Sequence, residues 1–128
     1  RWPGRLELFG DQVYLDGAHN PHAMLRLIEF ANSLAGKRVK ILFGALKRKD
    51  YSGMLQTLQA GLPEAELILT TFHYGEVVAQ GDRQDLPYVA DYKAYIKEFM
   101  DQSFPDEVLF VTGSLYFIAE VRAFLLEG

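Results

Sequence analysis

The sequence predicts an α/β fold: a mainly parallel sheet with helices on both faces, preceded by a short β-hairpin. Three observations predict it. Short apolar runs, of the kind that a strand covered on both faces needs, recur along the chain. Each is followed by a segment whose apolar residues fall at helical spacing. This strand-then-helix order occurs four times, and parallel neighbours require such crossover connections, which pack right-handed.

Taken in order, Leu6 to Phe9 and Gln12 to Asp16 flank the turn-prone pair Gly10-Asp11, which predicts the hairpin. From Pro21 to Ala35, Met24, Leu27, Ile28 and Ala31 share one helical face, with Gly36 where a C-terminal cap belongs. Val39 to Phe43 reads as a buried strand; after the loop Gly44 to Lys49, the residues Tyr51, Met54, Leu55 and Leu58 repeat the helical spacing. Leu67 to Thr70 gives the next strand. Val89, Tyr92, Ile96 and Phe99 make one stripe of a helix expected from about Leu86 to Met100, while His73 to Asp85 shows no period. Val108 to Thr112 reads as a buried strand, and Ser114 to Leu126 as a helix with Phe117, Val121, Phe124 and Leu125 inward. The layout is Rossmann-like, in a single domain over residues 1–128.

Composition narrows the function. At 49% hydrophobic and 23% charged, the chain is built to bury a core. The net charge of −4, from 13 basic and 17 acidic side chains with no long Lys/Arg block, argues against nucleic acid as a partner. Without cysteine, neither a disulfide framework nor a thiolate metal site can form. No apolar run approaches the roughly 18–20 residues that span a bilayer, so no membrane partner is expected and the cytoplasm is the expected compartment. The chain begins at Arg1 without methionine, which suggests a piece of a longer protein.

In a doubly wound sheet, ligands bind beyond the carboxyl ends of the strands, which directs attention to four loops. The first, Asp16-Gly17-Ala18-His19-Asn20-Pro21, opens a helix with Asn20 suited to the N-cap and Pro21 to the first helical position. A helix N-terminus favours an anion, and Asp16 and His19 would project there. Alternatively, Asp16 satisfies loop amides and His19 covers the sheet edge. His22 could join His19 as a metal ligand, but no carboxylate at ligand spacing completes such a site, and no metal is expected. In the second loop Lys49 is the candidate for an anionic ligand, Asp50 can cap the next helix, and Lys47 and Arg48 read as solvated. The third loop runs from Thr70 to His73. The fourth is Thr112-Gly113-Ser114, where Ser114 either meets a ligand or caps the last helix. None has the glycine spacing of a dinucleotide site or a phosphate-binding loop.

Four segments together resemble the folylpolyglutamate synthase and dihydrofolate synthase family, within the Mur ligase superfamily. They are Trp2-Pro3-Gly4-Arg5-Leu6-Glu7, Leu15 to Ala23 with its Asp16-Gly17-Ala18-His19-Asn20-Pro21 core, Phe43-Gly44-Ala45-Leu46 with Lys49-Asp50, and Val111-Thr112-Gly113-Ser114-Leu115-Tyr116. The third departs from the family pattern, with Arg48 where an aspartate is usual. The resemblance implies the C-terminal domain of a two-domain ligase that uses ATP and magnesium to add L-glutamate to folate through an acyl phosphate. It implies nucleotide contacts from Arg5 and Asp16, glutamate contacts from His19 and Ser114, and weaker roles for Asn20, Lys49 and Asp50. The phosphate-binding loop and magnesium ligands would belong to the N-terminal ATPase domain, which is the implied partner. The domain alone is then expected to fold without ligase activity, and Asp16→Ala or His19→Ala to cost activity but little stability.

Competing readings are a free-standing doubly wound module binding an anion or a partner protein, a small metal-dependent hydrolase built on His19 and His22, and the C-terminal domain of a cell-wall Mur ligase.

Overall fold

A computed structural model of the protein describes residues 3–127, so Trp2 of the first motif lies outside the described residues. Six strands form one sheet in the order β1-β2-β6-β3-β4-β5. They are β1 (Glu7–Phe9), β2 (Val13–Asp16), β3 (Arg38–Phe43), β4 (Glu66–Thr70), β5 (Tyr88–Val89) and β6 (Glu107–Thr112). The helices are α1 (Pro21–Asn32), α2 (Tyr51–Gly61), α3 (Tyr92–Gln102) and α4 (Leu115–Glu127). β1 and β2 form the antiparallel hairpin; every other pairing is parallel.

Successive strand residues point to opposite faces, and this alternation sorts the core. Ile41, Phe43, Val108 and Phe110 face α1 and α2, packing with Met24, Leu27, Met54 and Leu55. Leu15, Leu42, Leu109 and Val111 face α3 and α4, packing with Tyr92, Ile96, Phe117 and Val121. β6, central and buried along its whole length, is thus covered from both sides.

Three expectations need correction. α1 stops at Asn32 with Ser33 as its C-cap; Gly36, at φ +78°, serves the turn into β3 instead. α3 starts at Tyr92, not near Leu86. Pro87 has no N–H to donate, and Tyr88–Val89 instead extend the sheet beside β4, where the Thr70 hydroxyl donates to the Val89 carbonyl at 2.7 Å. Asp91 then caps α3 by accepting the Ala94 N–H. In α4, Phe117, Ile118 and Val121 are buried and Leu125, though half-buried, packs on the same core, whereas Phe124 is only half-buried and outside that cluster.

The segment without a period, His73 to Asp85, crosses the carboxyl ends of the central strands. It is held by a bridge between Leu46 and Val77, by fully buried Val78, and by stacking of Tyr74 on Tyr116 with centroids 4.0 Å apart.

Candidate functional site

β2 and β6 run side by side with Asp16 opposite Thr112, and their following loops diverge: β2 feeds α1 on one face, β6 feeds α4 on the other. Divergence opens a crevice at the carboxyl ends. A cavity of about 630 Å³ lies there, lined by Arg5, Gly17, Ala18, His19, Arg26, Leu115, Ile118 and Arg122. The other flank of β6 is closed. Gly113, at φ +122°, packs so tightly on Gly44 that a Cβ would strike the Gly44 carbonyl oxygen, and Gly44 itself lies under the Phe117 ring.

Asp16 lies under the crevice with no exposed surface. Its Oδ1 accepts from the Leu6 N–H at 3.1 Å and from Arg26 Nη2 at 2.9 Å, while Oδ2 is buried without a hydrogen-bond partner among the described residues. Asp16 is thus buried, with Oδ1 engaged by the Leu6 N–H and by Arg26 of α1, instead of projecting openly into the crevice. His19 is half-buried at the cavity wall, with Nδ1 3.1 Å from the Gly17 carbonyl. A carbonyl can only accept, so Nδ1 carries the proton and Nε2 is left for another partner.

Ser114 is nearly covered, and its Oγ accepts the Tyr116 N–H at 3.1 Å as the cap of α4. Asn20 likewise caps α1 by accepting from Ala23, and Asp50 caps α2 by accepting from Gly53. Lys49 is exposed on the β3 loop and does not line this cavity. Arg5 and His19 thus line the cavity, Asp16 and Ser114 immediately precede its lining residues Gly17 and Leu115, and Lys49 and Asp50 are not part of its wall.

Sequence reasoning missed Glu7, Arg26 and Arg122. Glu7 Oε1 accepts from Arg122 Nε at 2.9 Å and from the Gly4 N–H at 2.8 Å. The Arg122 guanidinium, and after it the Gly4 N–H, holds the Glu7 carboxyl below the usual glutamate range despite partial burial. Arg26 and Arg122 are each neutralised by a carboxylate; Arg5 is exposed with no ion pair among the described residues. Arg26 sits ten positions from Asp16, on the helix that the motif itself opens, and was within reach of sequence inspection. Arg122 is separated from Glu7 by 115 positions, and no local pattern joins them.

A larger cavity, of about 730 Å³, lies at the amino ends of β3 and β4. Arg38 pairs with Asp106 at 2.8 Å and Lys40 with Glu107 at 3.2 Å, and among the described residues its helical lining comes from the carboxyl end of α1. We place the site at the carboxyl end for that reason. Among the described residues no group of three or more His, Cys, Asp and Glu is placed to hold a metal, and no helix is long and apolar enough to cross a membrane.

The family model that matches is the glutamate ligase domain of Mur ligases, over residues 4–115. The dihydrofolate synthase/folylpolyglutamate synthase of Bacillus subtilis is 33% identical over 94% of this chain and 30% of its own length. The folylpolyglutamate synthase of Lacticaseibacillus casei is 31% identical over 99% of this chain and, again, 30% of its own. Among solved structures, the bifunctional folylpolyglutamate synthase/dihydrofolate synthase of Yersinia pestis, complexed with AMPPNP and Mn, matches with a TM-score of 0.85. It is 25% identical and is matched over 98% of this chain and 32% of that one. The chain thus spans under a third of the length of the curated relatives it matches. Matched by this family model over residues 4–115 and at least 31% identical to these two relatives over nearly its whole length, the chain belongs to the glutamate ligase domain family of Mur ligases.

Proposed function

We propose that residues 1–128 are the C-terminal domain of a larger ATP-dependent folylpolyglutamate synthase, which joins L-glutamate to folate through an acyl phosphate. The observation that carries this reading is the cavity between β2 and β6, where Arg5 offers a charge without an ion pair and His19 a ring nitrogen without a hydrogen bond among the described residues, beside the N-termini of α1 and α4. The likeness to glutamate-adding ligases supports it.

In such a reaction the terminal phosphoryl group of ATP passes to a carboxylate oxygen of folate. The amino group of glutamate then attacks the acyl carbon and phosphate leaves. Water would destroy the acyl phosphate, so a domain that closes over the other half supplies both exclusion and alignment. Arg5 would offset phosphate charge on the nucleotide. Asp16, being buried, would serve the nucleotide from beneath, through the Leu6 N–H and Arg26. His19 would receive the incoming glutamate, with Nε2 as acceptor for its amino group. Ser114 would shape the wall beside it; because its oxygen accepts from Tyr116, its O–H remains a donor. Magnesium and the triphosphate would be held mainly by the N-terminal domain, as the family resemblance implies.

The test is steady-state kinetics of the full-length protein. His19→Ala is expected to raise the KM for glutamate more than that for ATP, and Arg5→Ala the reverse. Wild-type constants from both variants would remove this cavity from the site.

A further inference from the structure

Arg5 sits in a turn that the rest of the fold has to hold. Leu6 adopts φ +51°, a left-handed conformation that costs a non-glycine residue roughly 1 kcal/mol or more, and Gly4 adopts φ +72°. The Leu6 side chain is buried in the core beneath α1 and α2, so the backbone there cannot relax by swinging outward. Three polar groups flanking Arg5 are tied down. The Gly4 carbonyl accepts the Gly17 N–H at 2.7 Å, the Leu6 N–H is taken by Asp16, and the Gly4 N–H is taken by Glu7.

The two carboxylates follow one scheme. Asp16 joins a turn N–H to Arg26 of α1, and Glu7 joins a turn N–H to Arg122 of α4. The turn is thus braced to both helix layers at once, with Arg5 between the braces. α4 begins at the fourth strand-end loop, so the Glu7–Arg122 contact also fixes Arg5 relative to Ser114 and Leu115.

We propose that Glu7 and Arg122 are positioning residues for nucleotide binding: their ion pair fixes the strained turn that presents Arg5 to phosphate. Neither needs to touch the ligand. This inference rests on the ligase reading and adds to it a role for two residues at opposite ends of the chain.

The experiment measures KM for ATP and for glutamate in the full-length protein carrying Arg5→Ala, Glu7→Gln, Arg122→Ala, Arg122→Lys and the double change Arg5→Ala/Glu7→Gln. Glu7→Gln keeps the acceptor for Gly4 but loses the charge that holds Arg122. It is expected to raise the KM for ATP roughly tenfold, the scale of one charge-assisted hydrogen bond, and to leave that for glutamate within about twofold. Arg122→Ala should match it and Arg122→Lys should recover part of the loss. Because the brace acts through Arg5, the double variant should be no worse than Arg5→Ala alone. Additive losses, or an unchanged KM for ATP in both Glu7→Gln and Arg122→Ala, would overturn the inference. So would an Arg5→Ala variant with wild-type affinity, since nothing would then be positioned; folate- and glutamate-dependent turnover by the wild-type protein would still uphold the ligase reading. Should Glu7→Gln fail to fold, the Arg122→Ala and Arg122→Lys pair decides alone.

Discussion

Removing the Asp16 carboxylate would take its hydrogen bond from the buried Leu6 N–H and free the Arg26 side chain from its ion pair. Asp16→Ala is therefore expected to cost about 1–3 kcal/mol in urea denaturation, against the expectation from its loop position alone. His19→Ala removes a half-buried ring whose described hydrogen bond is to one carbonyl, so it should melt within a few degrees of wild type while losing activity in the full-length protein. Equal stability losses in the two variants would contradict this division between a brace and a ligand contact. The motif was legible as a candidate site because its residue types suit a helix N-terminus. Which of its members is buried was not legible, since burial depends on Arg26 and on the turn before β1.

At the scale of elements, the contact between the loops after β3 and β6 sets the shape of the rim. Gly113→Ala would combine a disfavoured φ with a collision against the Gly44 carbonyl and should destabilise the protein by more than about 2 kcal/mol; Gly36→Ala, at positive φ but with open space around it, should cost about 1 kcal/mol. Similar losses at the two positions in thermal or urea unfolding would show that the β3–β6 flank is not tightly closed.

Period alone read most elements, because their apolar residues face one core layer each. It failed at Val89, which lies three positions before Tyr92 and packs on the same core, yet reaches it from strand β5. Pro87 and the capping residue Asp91 were the signals that separate the two segments. The stretch from His73 to Asp85 stayed opaque because a bridge, a stacked pair and one buried valine hold it, all of them contacts with distant parts of the chain.

For the molecule as a whole, pH should act at both extremes. Asp106 is held below the usual carboxylate range by Arg38, and Glu107 by the Phe104 N–H and then Lys40; Glu7 is lowered as described. Such groups titrate near pH 4 in an unfolded chain, so their contribution is present above about pH 4 and is lost as pH falls through the lower folded values. Burial, then Glu66, Glu107 and Glu98, pushes the Tyr95 hydroxyl up to about 12. That contribution is intact up to about pH 10 and fades as pH rises through the folded value. Melting temperature against pH should be flat in between, and Glu107→Gln should flatten the acid limb; an unchanged limb would show that Glu107 contributes little to it.

Two core layers flank one sheet, and under the proposed function the charged rim beyond the carboxyl ends of its strands is where a companion domain would close. The most direct measurement is ADP release from ATP in the presence of folate and L-glutamate, by the 128-residue chain and by the longer parent protein that the proposed function calls for. The parent is predicted to turn over only when all three substrates are present, and the folded 128-residue chain not at all. Turnover by the short chain, or none by the parent, would contradict the account.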